Sequence, residues 1–440
     1  MISRIVILFV LSISTQSVTK ATQVDCDAIT TDLRNTSTAT DLCVIVLPRQ
    51  KWNISSVDLS AVVLPSFDKF SLLGVNGSFS LVNFFSSKSH VEKILIYDSI
   101  MHVAEIPPSV QNLLISQSYT RQIIIEHTGN LRYALQTLIA LDNELPDLPR
   151  NIDKLVHLKT LNLAKNLLDK ANLTVFGSLK ELETVDLSSN QIHELIIGPI
   201  DLPSLRKLDV GHNKLKNIPS LLGQLQSLEE LTLSHNKLEY IEMSYLNGLT
   251  HLKVLDLRFN NLFLGYLSRV FLPNLEVLRL ESCNLHQLDL LGIETPKLRK
   301  LYVEDNKLEY IEIFINGVYH GAGLELYGDR NPWNCNWLHD KHSRVKLVVQ
   351  QERQTCRRFV KKVCCVGTDY SSEWKTDHKW HVTRQQNRQI YKVLEEQQDR
   401  LRRTEKHYGE MSEKLAEMES TLEEIRNMVK MIAAKHDVVH

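Results

Sequence analysis

Leu158-Lys159-Thr160-Leu161-Asn162-Leu163-Ala164-Lys165-Asn166-Leu167-Leu168 is the stretch that decides the fold. Reduced to its landmarks it reads Leu-x-x-Leu-x-Leu-x-x-Asn-x-Leu. The frame returns with Leu182, Val185, Leu187, Asn190 and Ile192, and then with Leu205, Leu208, Val210, Asn213 and Leu215. Leu228, Leu231, Leu233, Asn236 and Leu238 follow, then Leu252, Leu255, Leu257, Asn260 and Leu262. Leu275, Leu278, Leu280 and Leu285 hold the register around Cys283, which takes the Asn slot, and Leu298, Leu301, Val303, Asn306 and Leu308 repeat it again. Upstream, Leu135, Leu138, Ala140, Asn143 and Leu145 already carry it. Starts at 135, 158, 182, 205, 228, 252, 275 and 298 give steps of 23 or 24 residues throughout.

That period and frame specify an α/β leucine-rich repeat solenoid, or horseshoe. In each turn a short strand points the two leucines of Leu-x-Leu inward. The Asn side chain bonds backbone groups where the chain leaves the strand, and stacked turns make an Asn ladder. A thiol tolerates burial and bonds weakly, which admits Cys283. One turn cannot bury its own leucines, so neighbours must stack. A leucine-rich amphipathic helix would show a 3.6-residue period and no Asn at fixed offsets. Weaker frames precede the regular ones. Val91, Ile94 and Ile96, then Val110, Leu113 and Ile115, place Ser99 and Ser118 in the Asn slot. The repeats are expected over residues 70–323.

The 440 residues carry 51 basic and 52 acidic side chains, a balance that disfavours a nucleic-acid binder. Residues 1–21 read as a secretory signal peptide, with Arg4 before the short apolar run from Ile5 to Ile13. No later stretch is long and apolar enough for a membrane anchor. Four sequons, at Asn35, Asn53, Asn76 and Asn172, agree with secretion. Residues 22–69 are expected to form an N-terminal cap closed by a disulfide between Cys26 and Cys43.

Residues 324–366 are assigned to a C-terminal cysteine cap. Asn331-Pro332-Trp333-Asn334-Cys335 resembles the start of the cap of extracellular leucine-rich repeat proteins, which continues Cys-x-Cys; here Trp337 stands at the second Cys position. With Cys283 taken by the ladder, Cys335, Cys356, Cys364 and Cys365 remain. They make two internal bonds, or one internal bond with a vicinal cysteine left to bridge to a second chain. A bond between Cys364 and Cys365 themselves would be strained. Residues 367–386 form a polar junction. Over 387–434 the spacing becomes heptad: Leu394, Leu401, Tyr408, Leu415, Leu422 and Val429 in one column, with Ile390, Gln397, Thr404, Met411, Met418, Ile425 and Ile432 in the other, where Gln397 and Thr404 weaken the seam and could set register or partner choice. Such a stripe predicts an α-helical coiled coil that needs a helix from another chain.

Leader, repeats, Asn-Pro-Trp-x-Cys cap, double cysteine and heptad tail together resemble the mosquito leucine-rich repeat immune proteins. The resemblance implies a secreted haemolymph protein of innate immunity. It implies pairing with a homologous leucine-rich repeat chain, as hetero- or homodimer, with Cys364 or Cys365 as the intermolecular disulfide. It also implies binding of a complement-like thioester-containing protein. Two other readings are a direct binder of microbial surface glycans on the concave face and an extracellular matrix or adhesion protein.

No Gly-x-Ser-x-Gly, His-Glu-x-x-His, P-loop or dinucleotide fingerprint occurs, so neither catalysis nor a cofactor is expected. His339 and His342, like His378 and His381, lack a clear set of further metal ligands. The candidate site is instead the concave face, where solvent-facing slots of successive strands stack in columns. Asp186, Asp209, His212, His235, Phe259, Arg279 and Tyr302 form its candidate binding patch, and the pair of histidines suggests pH sensing. Leu-Asp-Leu is also common in such repeats for structural reasons, and a plain solvated face is the competing reading.

Overall fold

The computed structural model describes residues 5–9, 42–46, 69–73, 91–126, 131–239, 243–262, 265–266, 270–290, 293–311, 323–340, 345–348, 359–360 and 363–366. Residues 1–368 form one compact unit and residues 369–440 a second, which lies outside the described residues. The expected junction and heptad segment therefore fall outside the description, as do Cys26, Cys356, Asn35, Asn53 and Asn76.

The first unit is a leucine-rich repeat solenoid. Its spine is a parallel sheet of fifteen strands among the described residues, in which each strand pairs with the next spine strand along the chain. The run passes through Lys93–Tyr97, Asn112–Ser116, Thr137–Leu141, Thr160–Asn162, Thr184–Asp186, Lys207–Asp209, Glu230–Thr232, Val254–Asp256, Val277–Arg279, Lys300–Tyr302 and Leu324–Tyr327. Register is one residue per slot, so Leu161, Val185, Leu208, Leu231, Leu255, Leu278 and Leu301 lie side by side. These side chains are buried to within one percent. On the far side of each turn the chain returns through two-stranded ribbons such as Lys170–Asn172 with Glu194–Ile196, or through 3-10 turns such as Leu173–Phe176. Asn172 is exposed there, and its carboxamide accepts from the amide and hydroxyl of Thr174, so this sequon lies open to solvent.

The Asn ladder is built as the frame requires. Asn213 donates to the carbonyls of Leu187 and Val210 at 3.0 Å and accepts from the Ile192 amide at 2.9 Å. Asn166, Asn190, Asn236, Asn260 and Asn306 repeat the pattern one rung at a time. Cys283 is a buried free thiol in the same row, and its Sγ donates to the Leu257 carbonyl at 3.1 Å. Burial pushes that thiol up to about 12, which keeps it protonated. Ser99 and Ser118, each buried, bond instead to their own strand ends at Tyr97 and Ser116. The residue before each ladder position takes a left-handed φ, from 45° at Asp98 to 59° at Arg330. That geometry turns the chain out of the strand.

The stack runs one turn further than expected at its C-terminal end. The repeats were expected to stop before Leu324, yet Leu324–Tyr327 pairs in register with Lys300–Tyr302. Asn331 is a further ladder residue, donating to the Val303 carbonyl and accepting from the Leu308 amide. The cap therefore begins one turn later. In that cap Cys335 bonds Cys365, and Cys364 is disulfide-bonded too. Ile5–Phe9 pairs in parallel with Leu42–Val46 at the start of the sheet.

Candidate functional site

Alternation along each strand buries the middle residue and sends the residues on either side of it, such as Thr160 and Asn162, out of the open face of the sheet, and the left-handed turn presents two more. Regular stacking lines these up in columns. The first column runs Leu95, Leu114, Ile139, Asn162, Asp186, Asp209, Thr232, Asp256, Arg279, Tyr302 and Tyr327. It changes from aliphatic to acidic to aromatic along its length. The second, at the left-handed position, runs Lys165, Ser189, His212, His235, Phe259, Ser282 and Asp305. Between them lie Ser188, Gly211, Ser234, Arg258, Glu281 and Glu304.

The structure brings His212, His235 and Phe259 together as one stack. Ring centroids are 3.9 Å apart across His212 and His235 and 4.1 Å across His235 and Phe259, with planes within 16° of parallel. Serines flank the stack on both sides. A bulky residue with positive φ is uncommon. Phe259 holds it at 56° because ladder and stack fix it on two sides, and its ring stays 43% exposed. Burial depresses the His235 pKa, with the His212 and Arg258 charges adding to the effect. The imidazole at the centre of the stack is therefore neutral near pH 7 and behaves as an aromatic ring. Arg279 and Tyr302 form a second group that the sequence did not complete. The guanidinium carbon lies 4.9 Å from the Tyr302 ring centre, and Tyr302 stacks on Tyr327 at 4.3 Å. Tyr327 was missed because the frame was closed one turn early.

The aspartates prove partly structural. Asp186, Asp209 and Asp256 each accept the amide two residues on, from Ser188, Gly211 and Arg258. This is the Asx-turn geometry that Leu-Asp-Leu supplies. Asp186 also accepts from Asn162 at 2.9 Å. Burial raises the Asp209 pKa against the pull of the Gly211 amide, and the neighbouring Asp186 and Asp256 charges add to the rise. Glu281 and Glu304, absent from the expected patch, are perturbed too. Burial raises both, and Glu304 reaches about 7, helped by the Glu281 and Asp329 charges. The signal for them was in the same frame, one slot beyond the column that was read.

The Glu304 shift sets a stability test. A carboxyl whose folded pKa lies above its unfolded value adds stability below about pH 4.5, and loses it as pH rises through about 7. Glu304→Gln is therefore expected to raise unfolding free energy at pH 8 by roughly 1 kcal/mol, discounted for the solvent that still reaches the group. At pH 4.5 it should change nothing. Urea midpoints at the two pH values check this, and equal shifts at both would refute it.

Comparison with known proteins finds the leucine rich repeat family at residues 156–215 and 203–262. The platelet glycoprotein Ib alpha chain of Canis lupus familiaris is 45% identical over 102 residues, 23% of this chain and 15% of that one. Keratocan of Danio rerio is 24% identical over 236 residues, 52% of this chain and 66% of that one. The chain thus spans less than two thirds of the length of either relative. Among solved structures, the leucine-rich repeat domain of APL1B is similar at 19% identity and a TM-score of 0.49, covering 66% of this chain and 91% of that one. That likeness concerns the fold alone.

Proposed function

We propose that this chain is an extracellular protein-binding scaffold that receives a protein partner on the open face of its sheet. The observation that carries this is the stack of His212, His235 and Phe259 beside the group of Arg279, Tyr302 and Tyr327. Aromatic and arginine side chains are the groups that anchor protein interfaces. Here they stand on rigid strands, pre-ordered, so little side-chain entropy remains to be lost on docking. A sugar platform needs uncovered ring faces, and in these stacks the rings largely cover one another, which favours a protein over a glycan.

The Cys335–Cys365 disulfide supports an oxidising, extracellular setting. The resemblance of the cap, the double cysteine and the heptad tail to mosquito immune proteins supports a finer reading. In it the partner is a complement-like thioester-containing protein, and a homologous leucine-rich repeat chain pairs through residues 387–434. The test is surface plasmon resonance of the full chain against a purified activated thioester-containing protein. His212→Ala with His235→Ala should weaken binding at least tenfold, which is about 1.4 kcal/mol. Unchanged affinity would remove the open face as the site.

A further inference from the structure

Asn172 uses only one of the two polar ends of its side chain. Its Oδ1 accepts from the Thr174 amide at 3.0 Å and from the Thr174 hydroxyl. Its Nδ2 has no hydrogen bond among the described residues. The ladder asparagines are different. Asn166, Asn190 and Asn213 each commit Nδ2 to three carbonyls. A group attached to the nitrogen of any of those would break the stack. One attached to Asn172 Nδ2 breaks no bond.

Space is left at the same place. Asn172 ends the strand Lys170–Asn172 on the returning side of its turn, and its side chain, like those of Thr174 and Val175, is exposed. Gly198, one turn on, passes close to this corner. A Cβ there would stand 3.0 Å from the Thr174 hydroxyl oxygen, so a larger residue would crowd the sequon. The surface beside Asn172 is also unusual. Its register partner across the ribbon is Ile196, about 4.8 Å away by strand spacing. The pair two positions earlier on the same outer face is Lys170 and Glu194, joined at 2.7 Å, which is the chemistry a solvated ribbon ordinarily shows. Ile196 is instead aliphatic and 40% exposed.

We infer that Asn172 carries an N-linked glycan whose first sugar lies over Ile196. Asn172-Leu173-Thr174 is the acceptor pattern, and the donor is an oligosaccharide held on a lipid pyrophosphate. Nδ2 bonds to the anomeric carbon of that sugar. The anomeric C–O bond breaks, the lipid pyrophosphate leaves with the electron pair, and one Nδ2 proton passes to solvent. The attached sugar is bulky and solubilising, and it covers an apolar side chain that the ribbon leaves in water. It stands on the returning side of the turn, so the open face stays clear, and the inference holds whether or not a partner docks there.

The test uses the full chain secreted from cultured mammalian cells. Trypsin cuts after Lys170 and Lys180, so the peptide Ala171–Lys180 contains this sequon alone. Peptide N-glycosidase in heavy-oxygen water turns a glycosylated asparagine into a labelled aspartate. The label is expected at position 172 in most of this peptide, is lost in Thr174→Ala and returns in Thr174→Ser. Unlabelled asparagine in most of the peptide would overturn the proposal. The seat on Ile196 is read separately, by comparing chain trimmed to one sugar per site with chain stripped of all sugar. Stripping is expected to lower the thermal midpoint by a few degrees more in the unsubstituted chain than in Ile196→Ser. The other sequons contribute equally to both chains, so the difference reports Asn172. Equal drops in the two chains would overturn the seat.

Discussion

Asn213→Ala is expected to lower the unfolding free energy by about 3 kcal/mol. The side chain makes one bond that nothing else can replace: its Oδ1 accepts the amide of Ile192 from the preceding turn. The carbonyls it serves keep other donors, since Leu187 also accepts from Asn190 and Val210 from Asn236. The loss is therefore dominated by one orphaned buried N–H, with weakened carbonyl bonds and a small void added to it. Because each turn touches only its neighbours, the damage is expected to weaken two interfaces of the stack. Asn213→Cys should cost less, because Cys283 shows that a thiol fits the slot and bonds the carbonyl across the rung. The converse change, Cys283→Asn, is expected to gain about 1 kcal/mol by offering a carboxamide oxygen to the Leu262 amide, as every other Asn rung does. Urea unfolding with an unchanged m-value reads all three. A loss below 1 kcal/mol for Asn213→Ala would show that the ladder is ornament to the leucine core.

Most of the solenoid was legible because its constraints are local and periodic. A slot that must bury leucine, turn left-handed or hold a carboxamide admits few residues, and it recurs every 23 or 24 positions. The columns of the open face followed from the same arithmetic, which is why His212, His235 and Phe259 were grouped before their rings were seen to touch. What was not legible depended on contacts between slots. Nothing in Leu-Asp-Leu distinguishes a binding aspartate from one held by the amide two residues on; the bond from Gly211 to Asp209 does. Glu281 and Glu304 look like ordinary solvated acids in sequence, and only stacking on either side removes their water. Which cysteine pairs with Cys335 depends on where the cap folds back, which spacing does not record.

The second large effect is expected at that cap. The last ladder turn ends at Asn331, the sheet continues through Val345–Val348 beside Leu324–Tyr327, and Trp333 is buried in the segment between them. Its ring is fully buried, its Nε1 donates to the Gly328 carbonyl at 2.7 Å, and Trp337 stacks on it at 5.1 Å. Trp337 thus fills with a ring the place where the usual cap has a second cysteine. Gly328 must stay glycine, since a Cβ there would stand 2.7 Å from the Trp333 ring. The disulfide from Cys335 to Cys365 then ties the strand end at Val366 back, where Val366 donates to the Trp333 carbonyl and accepts from the Cys335 amide. Trp333→Ala is expected to cost about 4 kcal/mol through lost contact and cavity. Cys335→Ser with Cys365→Ser should cost about 3 kcal/mol, the range for a 30-residue separation. Because both changes loosen the same segment, their sum should exceed the cost of the combined variant by about 1 kcal/mol or more, a coupling expected of neighbours and not of distant sites. Additive losses in calorimetry or urea titration would mean that ring and disulfide stabilise separate parts of the chain.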